Sequence, residues 1–281
     1  MIDTTPVSSQ LLFSTVRIEG HRANGQTSVG TAFFFTFNDD GREIPVLLTN
    51  KHVIAGCSSG AFLLHEAGQQ AKQSPSSFRV NLDAFERVWL GHPTDIDLCA
   101  MPIAPLLRAA QQQGKEVFYV NFVENQIPNS ELLSSLVALE DVIMVGYPIG
   151  LWDSVNNLPL LRRGVTATHP AVDFLNRPEG LVDIAAFPGS SGSPVMILNE
   201  GSYSTPKGIT VGTRCLLLGV LYGGPQYRAD GTLEIVEVPT GHIPSVTTQI
   251  PVHIGAYVKA QEILTLKTVI TDLARRGTKR P

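Results

Sequence analysis

Leu47-Leu-Thr-Asn-Lys-His-Val-Ile54 reads as an apolar strand that ends in a tight turn presenting His52. Just upstream, Gly30-Thr-Ala-Phe-Phe-Phe-Thr-Phe37 is β-branched and aromatic, and Asn38-Asp-Asp-Gly41 follows as a turn. Residues 44–49 are then the return arm of a hairpin. Outward from this hairpin, 11–18 is a short apolar segment, 58–77 reads as strand pieces with an exposed loop, and 85–90 and 98–103 read as two more strands.

The middle of the chain changes character. Residues 105–113 carry helix formers behind Pro105 with Gly114 as a stop, and 129–136 reads as a short helix capped by Asn129. Strands resume at 141–146, 163–168, 181–186, 194–197, 215–222 and 253–258. A helical apolar pattern follows over 259–274, through Ile263, Leu264, Leu266, Ile270 and Leu273. The expectation is an all-β chain of two packed barrels, 8–103 and 138–258, joined by a helical connector at 104–137 and ended by an α-helix at 259–276, the whole being one unit, 1–281.

Composition agrees. A chain of 281 residues buries a sizeable core without staples, and 43% hydrophobic against 16% charged residues excludes a disordered chain. Gly 25 and Pro 19 exceed their usual share, as many tight turns require. A net charge of −4 argues against a global grip on nucleic acid, and the apolar runs are too short to span a membrane. The basic end, 274–281, reads as cations at a helix C-terminus facing water. Cys57, Cys99 and Cys215 are too few and odd in number for a disulfide framework, and the N-terminus lacks the pattern of a secretion signal, so a cytoplasmic location is expected.

Three segments carry chemistry: the turn with His52, Asp95-Ile-Asp-Leu-Cys-Ala-Met101 and Pro188-Gly-Ser-Ser-Gly-Ser-Pro194. A serine hydroxyl is a weak nucleophile until a base takes its proton, and neutral imidazole is that base near pH 7. A buried carboxylate fixes the imidazole tautomer and stabilises the imidazolium. Glycines beside Ser191 let the N–H groups of Gly189 and Ser191 point at one spot, where an oxyanion would develop. The other histidines (His21, His65, His92, His169, His242, His253) show no paired ligand spacing, so neither metal nor cofactor is expected. The α/β-hydrolase elbow G-x-S-x-G is broken by Ser193.

These segments resemble those of the chymotrypsin/trypsin-like serine peptidases, and most of all the bacterial group that includes the high-temperature-requirement (HtrA/Deg) proteases. The pieces that carry the likeness are VGTAF (29–33), LLTNKHVI (47–54), DLCAMPI (97–103), VGYPIGL (145–151), VDIAAFPGSSGSPV (182–195), LGVLYGG (218–224) and IGAYVKA (254–260). The resemblance implies two six-stranded antiparallel barrels; with only about 20 residues after Tyr257, no PDZ module is expected to follow. It also implies a serine endopeptidase, with His52 as general base, Asp97 rather than Asp95 as the orienting acid, and Ser191 as nucleophile. Gly189 and Ser191 would form the oxyanion hole. Tyr222 and Gly223 would pair with substrate backbone. Ala185, six residues before the nucleophile, would lie at the base of the primary pocket; with no acid there, an apolar P1 residue is expected. Asp183 is expected to have a structural hydrogen-bonding role.

Ser190 stands where trypsin has the aspartate that receives a newly cut N-terminus, so activation by that route is not expected. The partners implied are a protein or peptide substrate and a regulatory protein, with no nucleic acid and no membrane. Two alternatives stay open: a catalytically silent peptide-binding module on the same fold, and an esterase or acyl transferase on the same triad.

Overall fold

The structure is a computed structural model and describes residues 2–68, 73–205, 208–229, 248–251 and 253–277. His242 and the basic end from residue 278 lie outside the described residues.

The strand Thr27–Asp39 organises the N-terminal half. It pairs antiparallel with Thr15–Arg22 on one side and Arg42–Thr49 on the other, in a register that sets Phe33 opposite Thr15 and Leu48. Side chains alternate across a strand, so its aromatic run feeds two cores. Phe33, Phe35 and Phe37 join one hydrophobic cluster, and Ala32 and Phe34 join another. Each buried Phe contributes about 1.5–3 kcal/mol relative to exposure. The sheet extends through Cys57–Ala67 and Gln73–Asp83 at one edge and through Cys99–Pro102 and Leu90–Gly91 at the other. Short strands at Val117–Phe118 and Phe122–Val123 bring the count to nine.

The C-terminal half is a closed barrel of six antiparallel strands: Asp141–Gly146, Leu160–Thr166, Glu179–Asp183, Ile254–Lys259, Arg214–Gly223 and Pro194–Asn199. Its interior holds Val142, Met144, Val182, Ile184, Val195 and Tyr257. The cluster around Phe33 and Phe35 also takes in Val145, Met196 and Leu217 from the barrel, together with Ile263, Leu266 and Ile270 from the terminal helix Gln261–Gly277. That shared core holds the two halves together. The all-β class, the closed antiparallel barrel and the C-terminal helix agree with the sequence reading.

Two local expectations fail. Of residues 85–90, rich in apolar side chains, only Leu90 is in a strand. Ala84 takes φ +52, the chain turns, and Phe85–Val88 is a single 3₁₀ turn with Phe85 buried edge-on to Trp89. Residues 58–77 are less loop than expected: Cys57–Ala67 and Gln73–Asp83 form a long hairpin. The polar side chains that suggested a loop include Ser58, Ser76 and Ser77 on these strands, which are exposed. Among the described residues no helix is long and apolar enough to cross a membrane.

Candidate active site

The strand Arg42–Thr49 stops at Asn50, whose extended backbone opens the one-turn helix Lys51–Ile54. Three consecutive side chains there grip the loop that precedes Cys99–Pro102. Asn50 Nδ2 donates to the carbonyl of Asp97 at 2.7 Å. Lys51 Nζ donates to the carbonyls of His92 at 2.9 Å and Thr94 at 2.6 Å. His52 Nδ1 lies 2.5 Å from Asp97 Oδ2, and the His52 backbone N–H donates to Asp97 Oδ1 at 3.1 Å. Burial pushes the Asp97 carboxyl up, but the hydrogen bonds and charge of His52 outweigh it, and the group sits below its usual value. Asp95 is exposed and makes no such contact. The His52 side chain is about half exposed.

Ser191 lies in the loop that enters the strand Pro194–Asn199. Thr31 seats this loop from the other half of the molecule. Its N–H donates to the Ser191 carbonyl at 2.8 Å, and its hydroxyl donates to the Gly189 carbonyl at 3.1 Å. Gly192 packs so closely that a Cβ there would stand 1.9 Å from the Thr31 carbonyl oxygen, and its φ of +86 favours glycine. The neighbouring Thr49 hydroxyl donates to that same carbonyl at 2.6 Å. The serine loop and the strand leading to His52 are thereby fixed to one residue.

The peptides around the turn Gly189-Ser190-Ser191 are oriented by their carbonyls. The Pro188 carbonyl accepts from Ile149 N–H at 2.5 Å, and the Ser190 carbonyl accepts from Ser193 N–H at 3.0 Å. In a trans peptide C=O and N–H point opposite ways, so Gly189 N–H and Ser191 N–H are turned away from those partners. Neither N–H has an acceptor among the described residues. Gly189 has φ +89. Ile149 also has a left-handed backbone, φ +53, which is rare for a β-branched residue, and the residue is 70% exposed.

Ser191 Oγ donates to the Tyr222 carbonyl at 3.3 Å, and no hydrogen bond joins it to His52. A cleft of about 240 Å³ beside it is lined by residues that include Ala186, Phe187, Pro188, Leu221, Tyr222 and Gly223. Ala185, expected at the base of the pocket, is not among the residues that line this cleft. Its carbonyl accepts from Arg162 Nη1 at 2.7 Å. Arg162 Nη1 also donates to Ser190 Oγ at 2.8 Å, and burial pushes the pKa of this guanidinium down to about 10. Tyr222 is anchored through its phenol, which donates to Glu179 at 2.8 Å; burial and the Glu179 carboxylate push its pKa up to about 12.

Asp183 is exposed, and its carboxylate makes no hydrogen bond among the described residues, so the structural role expected for it is not seen. Cys57, Cys99 and Cys215 are free, and burial pushes all three thiols up, away from thiolate reactivity. Sequence reasoning missed Asn50, Lys51, Thr31, Ile149 and Arg162. Only the first two were detectable in principle, as polar neighbours of His52 in an apolar strand end.

No protein-family model and no curated protein matches this sequence. Solved structures similar to it include the active form of the Rv3671c protease from M. tuberculosis, at 14% identity and TM-score 0.47, covering 93% of this chain and 82% of that one. The scabies mite inactivated protease paralogue S-I1 is similar at 11% identity and TM-score 0.44, over 94% of this chain and 96% of that one. The protease Anisep from Arthrobacter nicotinovorans is similar at 11% identity and TM-score 0.41, over 88% and 90%.

Proposed function

We propose that this chain is a serine endopeptidase working through an acyl-enzyme, with His52, Asp97 and Ser191 as its triad. The observation that carries the reading is the two-point contact of Asp97 with His52, one carboxylate oxygen on Nδ1 and the other on the backbone N–H. That contact leaves Nδ1 protonated and Nε2 as a base, the arrangement proton transfer from a serine requires. In the reaction Ser191 Oγ leaves the Tyr222 carbonyl, passes its proton to His52 Nε2 and bonds to the scissile carbonyl carbon. The oxyanion takes the N–H groups of Gly189 and Ser191, each worth about 2.7–4 kcal/mol of barrier in comparable sites. Collapse expels the amine, which leaves with the proton from His52, and water repeats the sequence on the acyl-enzyme.

Ala186, Phe187, Pro188 and Leu221 present no charge to the cleft, which supports an apolar P1 residue. Tyr222 and Gly223 belong to the strand Arg214–Gly223, whose end is suited to pair with substrate backbone. Three free cysteines fit a reducing, cytoplasmic setting.

The test is turnover of peptides and of an activated ester. An initial burst of ester product equal to the enzyme present, with an acyl adduct on Ser191, supports the reading. The resting bond from Ser191 to Tyr222 favours a second one, a silent peptide-binding module. Peptides bound without cleavage, with affinity unchanged in Ser191→Ala, would decide for that instead.

A further inference from the structure

Arg162 belongs to the barrel strand Leu160–Thr166, and its guanidinium reaches beneath the loop that carries Ser191. One nitrogen, Nη1, holds two points of that loop: the carbonyl of Ala185 at 2.7 Å and the hydroxyl of Ser190 at 2.8 Å. Ser190 is fully buried. Its hydroxyl also accepts from Phe187 N–H at 3.3 Å, while its carbonyl accepts from Ser193 N–H and its own N–H donates to Phe187. The turn from 187 to 193 is thus wound around one serine, and Arg162 is the one charged group bonded to that serine among the described residues.

The remaining donors make the arrangement unusual. Arg162 Nε and Nη2 are buried and have no partner, and no carboxylate pairs with the guanidinium among the described residues. A buried cation without a counter-charge is a standing cost, and an apolar side chain of similar length would avoid it. Stability does not account for the residue. Its two bonds do: both end on the segment between the cleft wall and the oxyanion turn, where Gly189 leaves the backbone free to rotate.

We propose that Arg162 is a positioning residue, an interior cation that holds 185–190 in the shape in which Gly189 and Ser191 present their N–H groups to the oxyanion. The inference rests on the peptidase reading above. It makes the oxyanion loop a feature assembled within the barrel, by the strand Leu160–Thr166.

Arg162→Met and Ser190→Ala test it against the wild type, with four readouts: kcat and KM on a peptide substrate, affinity for a peptide boronate, amide exchange at Ser190 and Ser193, and thermal unfolding. Arg162→Met should lower kcat on the order of 10²-fold with little change in KM, and weaken the boronate by a similar factor. Its loop amides should exchange faster. Its melting temperature should be unchanged or higher, because the unpaired charge is gone. A residue with a merely structural role would show the reverse, lower stability at full kcat, and that result overturns the proposal.

Ser190→Ala removes the hydroxyl that accepts from both Arg162 Nη1 and Phe187 N–H, leaves the Arg162 guanidinium in place, and should lower kcat and boronate affinity together. Wild-type kcat in this variant overturns the proposal however Arg162→Met folds. A wild type that neither turns over substrate nor binds the boronate defeats the peptidase reading, and amide exchange in the variants then still decides whether Arg162 sets the loop.

Discussion

Asp97→Asn removes one charge and converts one of two acceptors into a donor, and the geometry around His52 dictates the consequence. The carboxylate serves two donors at once, Nδ1–H of His52 at 2.5 Å and the His52 backbone N–H at 3.1 Å. An amide cannot serve both. With its oxygen on the backbone N–H, its NH₂ faces Nδ1, which must then be a bare lone pair; the ring proton moves to Nε2 and the base is blocked. With the amide flipped, NH₂ meets the backbone N–H and donors are left unpaired, at about 1–3 kcal/mol. In either case the imidazolium loses a counter-charge worth about 4 kcal/mol at an effective dielectric of 20. Together these raise the barrier by about 5–7 kcal/mol, or 10⁴-fold and more. The same substitution in another serine-protease triad costs about 10⁴. The assay is kcat/KM on an activated ester, with unfolding followed in parallel. A loss of less than about ten-fold in a fully folded variant would refute the assignment of Asp97, since neither the tautomer nor the charge argument could then hold.

Gly192→Ala places a Cβ 1.9 Å from the Thr31 carbonyl at φ +86, so it should destabilise the chain by about 3 kcal/mol in urea unfolding and abolish turnover; a cost under about 1 kcal/mol would contradict the close seating of the loop. Ile149→Gly relieves a left-handed backbone that costs an L-residue about 1–2 kcal/mol, against the entropy cost of glycine, for a net gain of about 0.5 kcal/mol with turnover retained; lower stability would show that the exposed side chain matters. Burial holds the His65 imidazole below its ordinary value of 6.5, so the unfolded chain binds the proton first. Stability should be full above pH 6.5 and fall as pH drops through and below it, down to the folded pKa. His65→Phe should flatten that slope in pH-dependent melting, apart from the part due to His92, which burial also holds down.

Local features were legible in the sequence. His52 follows an apolar strand, Asp97 precedes one, and Ser191 stands among glycines; each signal fits within a few residues. The barrel strands were legible for the same reason, since Val142, Met144, Val182 and Ile184 alternate toward one interior. The features that escaped act across the chain. Thr31 meets Gly189 and Ser191 from the other half of the molecule, and Arg162 meets Ser190 from another strand of the barrel. Neither residue type at those positions looks different from a surface threonine or a strand arginine. Counting back from Ser191 points to Ala185, but not to its carbonyl bond with Arg162 or to Ala186 as a residue lining the cleft. At 85–90 apolar content suggested a strand, but a left-handed Ala84 turns Phe85–Val88 and leaves only Leu90 in one.

At the heart of the proposed function, His52 and Asp97 make a nucleophile of Ser191. The sharpest test is mass spectrometry after exposure to a fluorophosphonate probe. A single adduct on Ser191 is expected in the folded wild type, and none in folded His52→Ala. An unlabelled wild type, or labelling that persists without His52, would contradict the proposed triad.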